Sequence, residues 1–427
     1  MQGKALPGFR DFYPEDLSLR NHIFATWRNV ARRYGFEEYD GPPLEALDLY
    51  TKKSGEEIEQ QLYSFRDKGD RDVALRPEMT PTLARMVAAR GQALKKPIRW
   101  FSIPQLFRYE RQQRGRLKEH FQLNMDIIGE TSALADAELI AAAIDIMRGF
   151  GFGPGDFKVR ISDRRVLRTL LLGYDIREDR LLQAFAMLDK TGRDEEWVTW
   201  QLGGAYTGSG QTSRPIPRRS LIGLDPISKL LSSLPGGAQA IEPLRETVAT
   251  LTTMGLGDFV EVDLTIVRGL AYYTGIVFEL FDTQHKLRAI AGGGRYDGLL
   301  KAAGGPDLPA LGFGMGDVVL SELLKERGVA PKASIELGAF LIAVGGDDMP
   351  WVLKLAHAMR ERGIAVEYGL RHTGVRKQLE LAAARGAPRA VIIGPDERQA
   401  GLAVVRDLKA GTEAKVPFDK LLNGYFD

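Results

Sequence analysis

The sequence predicts an α+β chain: a mainly antiparallel sheet, a helical insertion and a C-terminal α/β unit. Three patterns carry this expectation. Between about residues 60 and 160, short strand-like runs are broken by turns and hold few helices. From about 163 to 255 the pattern turns helical and irregular, and strands then resume. After about 336, strand and helix alternate, as in a mixed sheet with parallel strands. The expected boundaries are 1–162 and 257–328 for two parts of one core, 163–256 for the insertion and 336–427 for the C-terminal unit.

The elements follow in order. Pro14, Glu15 and Asp16 open a helix with charges that suit its N-terminus. Ile23, Phe24, Trp27, Val30, Ala31 and Tyr34 continue it at helical spacing, and Gly35 ends it. FEEYDGPPLE reads as a short strand stopped by Pro42 and Pro43. LYSFRD and DVALRPEM read as strands and Pro81 to Ala89 as a helix. FSIPQLFRYE and EHFQLNMDIIG make an antiparallel hairpin around the basic loop RQQRGRLK. ALADAELIAAAIDIMRGFG is a helix ending at glycine. The insertion holds a loose polar stretch, TGSGQTSRPIPRRS, and closes with a helix in SLPGGAQAIEPLRETVATLTTMGLG. FVEVDLTI, TGIVFELFD and LRAIAGGGR are strands, and MGDVVLSELLKERG is a helix. GVAPKASIELG reads as a linker. In the last unit FLIAV, IAVEYGL, RAVIIG, LAVVRDL and AKVPF are strands, with helices at Asp348–Arg362 and Gly374–Ala384.

The chain has 427 residues, enough for two to four domains, with 44% apolar and 27% charged residues. No run of about 18 apolar residues suggests a membrane span, and the N-terminus lacks the apolar core of a signal peptide. There is no cysteine, which excludes disulfides, thiolate metal sites and a Cys nucleophile. A cytoplasmic protein without membrane contact is expected. Net charge is only +2, but Trp351–Ala390 holds eight Lys/Arg against three acids. That local +5 suits either a phosphate-facing surface or a solvated pair of helices. The five histidines show no metal-ligand spacing, and neither GxSxG nor GxxxxGK[ST] occurs.

Five constellations carry chemistry. Arg108 and Glu110 lie two apart on an expected strand, hence on one face. Arg111, Arg114, Arg116 and Lys118 arm the loop after it, which suits a polyphosphate or an ordinary basic hairpin tip. Arg268 sits in the apolar run VRGLAYYTG with Tyr272 and Tyr273. Buried there, it needs an anion or a carboxylate partner. Gly292, Gly293 and Gly294 allow close approach of a ligand or strand, or a tight turn. Glu78, between a strand and a helix, could meet a ligand amine or serve as an N-terminal helix carboxylate. Gln122, Asn124 and Asp126 alternate on one strand face, lining a pocket or facing solvent.

Assembled, these segments resemble the class II aminoacyl-tRNA synthetases, and within them the histidyl-tRNA synthetase family, nearly end to end. The first helix with GFEEYDGPPLE resembles motif 1, with Pro42 as its proline, and FRYERQQRGRLKEHFQ resembles motif 2. VRGLAYYTGIVFE and AGGGRYDGL, in this order, resemble two segments peculiar to the histidine enzymes. GFGMGDVVL lies where motif 3 belongs, and the last 90 or so residues resemble an anticodon-binding domain.

The resemblance implies a histidine–tRNA ligase and assigns roles. Glu78 would hold the substrate's ammonium with Thr80 nearby. Gln122, Asp126, Tyr272, Tyr273 and Tyr296 would line the histidine pocket. Arg108 and Arg268 would grip the α-phosphate of ATP and the histidine carboxylate, as the catalytic pair. Arg116 would reach the outer phosphates, Glu110 would meet adenine or Mg²⁺, and His120 would stand where an adenine-stacking Phe is usual. ATP would enter with Mg²⁺, with no permanently bound cofactor and no metal held by protein ligands alone. The partners implied are tRNA(His), L-histidine, ATP and a second copy of the chain in a homodimer. Arg376 and Lys377 would lie on the tRNA side. Two further departures stand out: Ala271 replaces a usual Asp, and Gly316-Asp317-Val318-Val319 lacks the arginine that usually ends motif 3. The competing reading is a non-catalytic relative, the regulatory subunit of ATP phosphoribosyltransferase in histidine biosynthesis. It is built on the same core and usually lacks the C-terminal domain.

Overall fold

A computed structural model describes residues 3–51, 61–91, 93–110, 115–190, 197–198, 216–268, 272–284, 287–302, 304–331, 336–371 and 373–426. The chain divides into two compact units, Met1–Pro331 and Lys332–Asp427.

The strands of the first unit are β1 (Glu37–Glu38), β2 (Leu44–Ala46), β3 (Tyr63–Arg66), β4 (Asp72–Leu75), β5 (Ile98–Ser102), β6 (Gln105–Phe107), β7 (Glu119–Ile128) and β8 (Phe157–Asp163). They continue with β9 (Trp197–Val198), β10 (Ile216–Pro217), β11 (Val260–Val262), β12 (Ile276–Asp282), β13 (Ala291–Arg295) and β14 (Ala310–Gly316). The main sheet runs β1-β5-β7-β14-β13-β12-β8-β11, with β6 also paired to β7. Only β1 with β5 and β11 with β8 are parallel; the other pairs are antiparallel. A three-stranded sheet β2-β4-β3 and a two-stranded β9/β10 pair complete the unit.

Side chains opposite one another across an antiparallel pair share a face. One row therefore reads Phe101, Met125, Phe313, Gly293, Phe278, Ile161 across β5, β7, β14, β13, β12 and β8. This row joins one apolar core with the helices Pro14–Arg33, Ala133–Gly149 and Asp317–Glu326. Trp27 is fully buried there, and its Nε1 donates to Met315 Sδ at 3.3 Å. Gly293 has a packing reason: the rings of Phe278 and Phe313 lie 6.0 Å apart on either side of it. The helices Arg164–Gly173 and Gly237–Thr253 bury Leu167, Leu171, Leu244 and Leu251 in the same core.

On the opposite face the rows are different. One reads Trp100, Asp126, Gly312, Gly294, Val277, and the next Ser102, Asn124, Gly314, Gly292, Glu279. The middle of this face is a floor of backbone with polar side chains around it.

Three local expectations are corrected. FSIPQLFRYE is two strands separated at Ile103-Pro104, and the second ends at Phe107, so Arg108 and Glu110 do not share a strand. A proline cannot donate to a sheet ladder, which breaks the run. The expected helix from Met315 begins at Asp317, because Met315 and Gly316 belong to β14. The strand read in LRAIAGGGR begins at Ala291 rather than Leu287, and it includes the glycine triplet, which decides against the tight-turn alternative. Most of TGSGQTSRPIPRRS, the loop residues Arg111–Arg114, Ala271 and part of the linker lie outside the described residues.

In the second unit β15 (Ala339–Ala343), β16 (Val366–Tyr368), β17 (Arg389–Ile393), β18 (Leu402–Asp407) and β19 (Glu413–Pro417) form a sheet of order β16-β15-β17-β18-β19. The first three are mutually parallel and the last two antiparallel. Helices Met349–Glu361 and Val375–Ala384 supply the parallel crossovers, and the unit has cores of its own. No helix among the described residues is long and apolar enough to cross a membrane.

Candidate active site

The glycine rows of β13 and β14 leave room above the sheet, and side chains from five segments close around it. A small pocket of about 80 Å³ is lined by Glu78, Thr80, Gln122, Asn124, Asp126, Arg268, Tyr272, Tyr273 and Tyr296. A larger cleft of about 270 Å³ adjoins it, lined by Arg108, Glu110, Arg116, His120 and Arg288, with Val318 and Val319. Gln122, Arg108, Arg268, Gly292 and Gly314 line both, so the two spaces meet there.

Each wall has a local cause. Arg76 fixes the bend before Glu78: its buried guanidinium donates to Asp40 Oδ1 at 2.7 Å, Gly41 O at 2.7 Å and Gln105 O at 3.0 Å. Pro77 then breaks β4, and Thr80 begins the helix Thr80–Arg90. Burial pushes the Glu78 carboxyl up from its usual range, while nearby Arg108 works against that shift. Alternation along β7 aims Gln122 and Asp126 at one pocket wall. Tyr296 donates its hydroxyl to Asp126, yet burial dominates and pushes the Asp126 carboxyl up to about 7. The Tyr272 ring stands 4.9 Å from Tyr273 and 6.0 Å, edge-on, from Tyr296. Burial keeps the hydroxyls of Tyr272 and Tyr296 protonated. The pocket is thus aromatic on one side, with a carboxyl at each of two places.

The cleft is cationic. Arg108 Nε donates to Pro77 O at 2.9 Å, and its backbone N–H donates to Lys118 O at 2.8 Å. A turn after β6, not strand alternation, brings Glu110 to the same cleft. Arg116 Nε lies 2.6 Å from Glu110 Oε2. Burial, reinforced by Arg108, Arg10 and Arg116, lowers the His120 pKa to about 3, so its ring is neutral. Arg268 sits at the junction with its backbone at φ 60°, a conformation rare for a side-chain-bearing residue. Its Nη1 donates to Glu279 Oε1 at 2.7 Å, and its Cζ lies 5.9 Å from the Tyr273 ring centre. Burial works to lower its pKa, but Tyr273 and Glu279 outweigh that and raise it. Its Nε is buried without a hydrogen-bond partner among the described residues. A donor in that state suits an anionic ligand.

Sequence reasoning passed over Glu279, Arg288 and the alternating glycines of β14. Glu279 had a signal, being the lone charge in GIVFELF; Arg288, a single arginine in a polar loop, had none. Asp317, in the string without the arginine, accepts from Phe121 N at 2.9 Å and Arg10 Nη1 at 2.9 Å, while Val318 and Val319 face the cleft. Arg376 and Lys377 belong to the second unit, exposed on the Val375–Ala384 helix, with Arg376 Nε 3.1 Å from Glu380 Oε1. Among the described residues no three His, Asp or Glu side chains cluster as metal ligands.

Comparison with known proteins shows the family. A family model described as histidyl-tRNA synthetase matches residues 8–317, and one described as an anticodon binding domain matches 339–424. The chain is 43% identical over 422 residues to a histidine–tRNA ligase of Opitutus terrae, covering 98% of this chain and 97% of that protein. It is 40% identical to the chloroplastic/mitochondrial histidine–tRNA ligase of Arabidopsis thaliana, over 97% of this chain and 85% of that one. In fold it is similar to a crystal structure of a histidyl-tRNA synthetase from Nostoc, with a TM-score of 0.79, 24% identity and 98% of both chains covered.

Proposed function

The chain belongs to the histidyl-tRNA synthetase family, and we propose from that premise how its own residues carry the reaction. It is a histidine–tRNA ligase: it activates L-histidine with ATP and passes it to tRNA(His). The observation that carries the residue assignments is the junction at Arg268, where an aromatic, carboxyl-bearing pocket opens into a cationic cleft.

Histidine binds in the small pocket. Glu78 takes its ammonium, with Thr80 beside it, through a charge-assisted hydrogen bond. Asp126 and Gln122 meet the imidazole nitrogens, and Tyr272, Tyr273 and Tyr296 surround the ring. ATP fills the cleft. Neutral His120 stacks on adenine, and Arg116 and Arg108 hold the phosphates. Glu110 would offer a carboxylate to Mg²⁺ accompanying ATP, and that ion would supply neutralisation of phosphate charge. A histidine carboxylate oxygen then forms a bond to the α-phosphorus as the bond to pyrophosphate breaks. Arg268 and Arg108, fixed beforehand, neutralise charge on the reacting phosphate, the main requirement of such a transfer. The 3′-hydroxyl of the tRNA next attacks the histidyl carbonyl, its proton passes to a phosphate oxygen of the adenylate, and AMP leaves. Arg376 and Lys377 belong to the tRNA-facing side. A cytoplasmic homodimer completes the reading; sedimentation of the purified chain tests the dimer.

The deciding experiment is amino-acid-dependent ATP–pyrophosphate exchange, with each of the twenty amino acids tried separately. Exchange with histidine alone supports the assignments. No exchange from folded protein would move the regulatory-subunit alternative forward, which the comparisons do not support better.

A further inference from the structure

We propose that Arg164 is the positioning residue for Arg268. It anchors the two ends of the segment that bears Arg268, Tyr272 and Tyr273, at Val267 and Arg268 on one side and Gly275 on the other, and thereby sets where the Arg268 guanidinium meets the reacting groups. The proposal rests on the activation chemistry proposed above.

Arg164 grips this segment at both ends. Its Nη2 donates to Val267 O at 3.1 Å and to Arg268 O at 2.7 Å, with Nε 3.3 Å from Val267 O. Its backbone N–H donates to Gly275 O at 3.0 Å. One residue thus ties the entry and exit of the segment to the corner where β8 turns into the Arg164–Gly173 helix. That corner is itself fixed, since the buried Asp163 caps the helix by accepting from Arg165 N at 2.7 Å. The guanidinium lies in the interior, with its Cζ 4.9 Å from the Phe185 ring centre on the helix Leu181–Lys190.

The chemistry needs arginine. Nη2 serves two successive carbonyls while Nε, in the same plane, reinforces the first and the guanidinium carbon lies 4.9 Å from a ring centre; a lysine ammonium has no second nitrogen for that pattern. The target also needs the clamp. Arg268 has φ 60°, a backbone state that persists only when its surroundings over-determine it. Arg164 holds the carbonyl of that very residue. Glu279 then fixes the far end of the Arg268 side chain at 2.7 Å. Release of the backbone would move the guanidinium by an ångström or so, and displacements of that size cost on the order of a hundredfold in rate.

The test compares Arg164→Met and Arg164→Lys in the full chain by two readouts. Hydrogen exchange of peptides covering 266–276 reads the clamp without any catalysis. Arg164→Met should speed it about tenfold or more, with peptides from the Ala133–Gly149 helix changed less than about twofold. Histidine-dependent ATP–pyrophosphate exchange reads the consequence: kcat should fall about tenfold or more, with the KM for ATP within about threefold. Arg164→Lys should lie between on both. If Arg164→Met does not fold, Arg164→Lys and Phe185→Leu carry the test, with shifts of about threefold in the same directions. Unchanged exchange of 266–276 overturns the proposal. So does a uniform loosening of the first unit with kcat per folded molecule intact, the mark of a merely structural residue. Should the wild type activate no amino acid, the functional reading fails, and the hydrogen-exchange comparison still decides the clamp.

Discussion

Asp126 is a buried carboxyl whose pKa lies at about 7, so its charge changes within the working range of pH. Burial raises the folded-state value above the ordinary one near 4, and the folded chain therefore favours the protonated form. The stability this group contributes is complete below about pH 4 and is lost as pH rises through about 7. Asp126→Asn keeps an acceptor for Tyr296 and removes the titration. In thermal melts without ligand, the variant should gain on the wild type between about pH 4 and pH 7 and level off above; a difference independent of pH would refute the assignment. A second buried pair predicts a different behaviour. Arg10 holds two carboxylates, Glu119 Oε1 at 2.7 Å and Asp317 Oδ2 at 2.9 Å, whose side chains are 2% and 1% exposed. Arg10→Ala strands both, and should cost about 3–5 kcal/mol by denaturant titration. At this scale the sequence was partly legible. Gln122, Asn124 and Asp126 could be assigned one face because strand periodicity is local. Arg164 could not be matched to Arg268, because 104 residues separate donor from acceptor and only the fold joins them.

Among the elements, β14 was concealed by its own composition. Alternating glycines depress β-propensity, and the run ALGFGMG carries no turn signal at its end, so strand and following helix merged in the reading. Its glycines nonetheless divide into two kinds of constraint shared with β13. A Cβ at Gly312 would collide with the Asp126 carboxylate, whereas one at Gly293 would collide with the backbone of Gly312 and Phe313. A side chain can turn aside; a central strand cannot. Gly312→Ala should therefore fold, lose about 1–3 kcal/mol, and raise the KM for histidine tenfold or more. Gly293→Ala should destabilise the chain more severely, with accumulation in the insoluble fraction as the expected outcome. Equal stability of the two variants would show that the floor is looser than its packing indicates. The long helices were plain from the outset: Ile23, Trp27 and Val30 recur at helical spacing and are buried together. The short helices Pro395–Ala400 and Phe418–Leu422 of the second unit went unread, since one or two turns hold too few residues to display a period.

The whole molecule places its chemistry in one compact unit and a basic helix in the other. The division was legible because alternation of strand and helix begins abruptly after residue 336, whereas no local pattern showed the insertion helices joining the main core. Arg376 and Lys377 face solvent, and their ion-pairing is of the weak, exposed sort. The Arg376→Ala/Lys377→Ala double variant should weaken tRNA binding, flatten the slope of log K against log salt by about 1–2, and leave histidine-dependent pyrophosphate exchange intact. A slope equal to the wild type's would remove these residues from the tRNA surface. The position of β14 has a consequence in time. It is the last strand of the main sheet to be made, yet it lies between β7 and β13. A chain growing from its N-terminus must hold β7 without its neighbour through nearly two hundred residues of synthesis. Until Gly316 has emerged the glycine floor beneath the proposed amino-acid pocket is incomplete. Whatever shelters that unpaired edge in the interval, a copy that stops short of β14 lacks part of the floor beneath the pocket proposed to hold histidine.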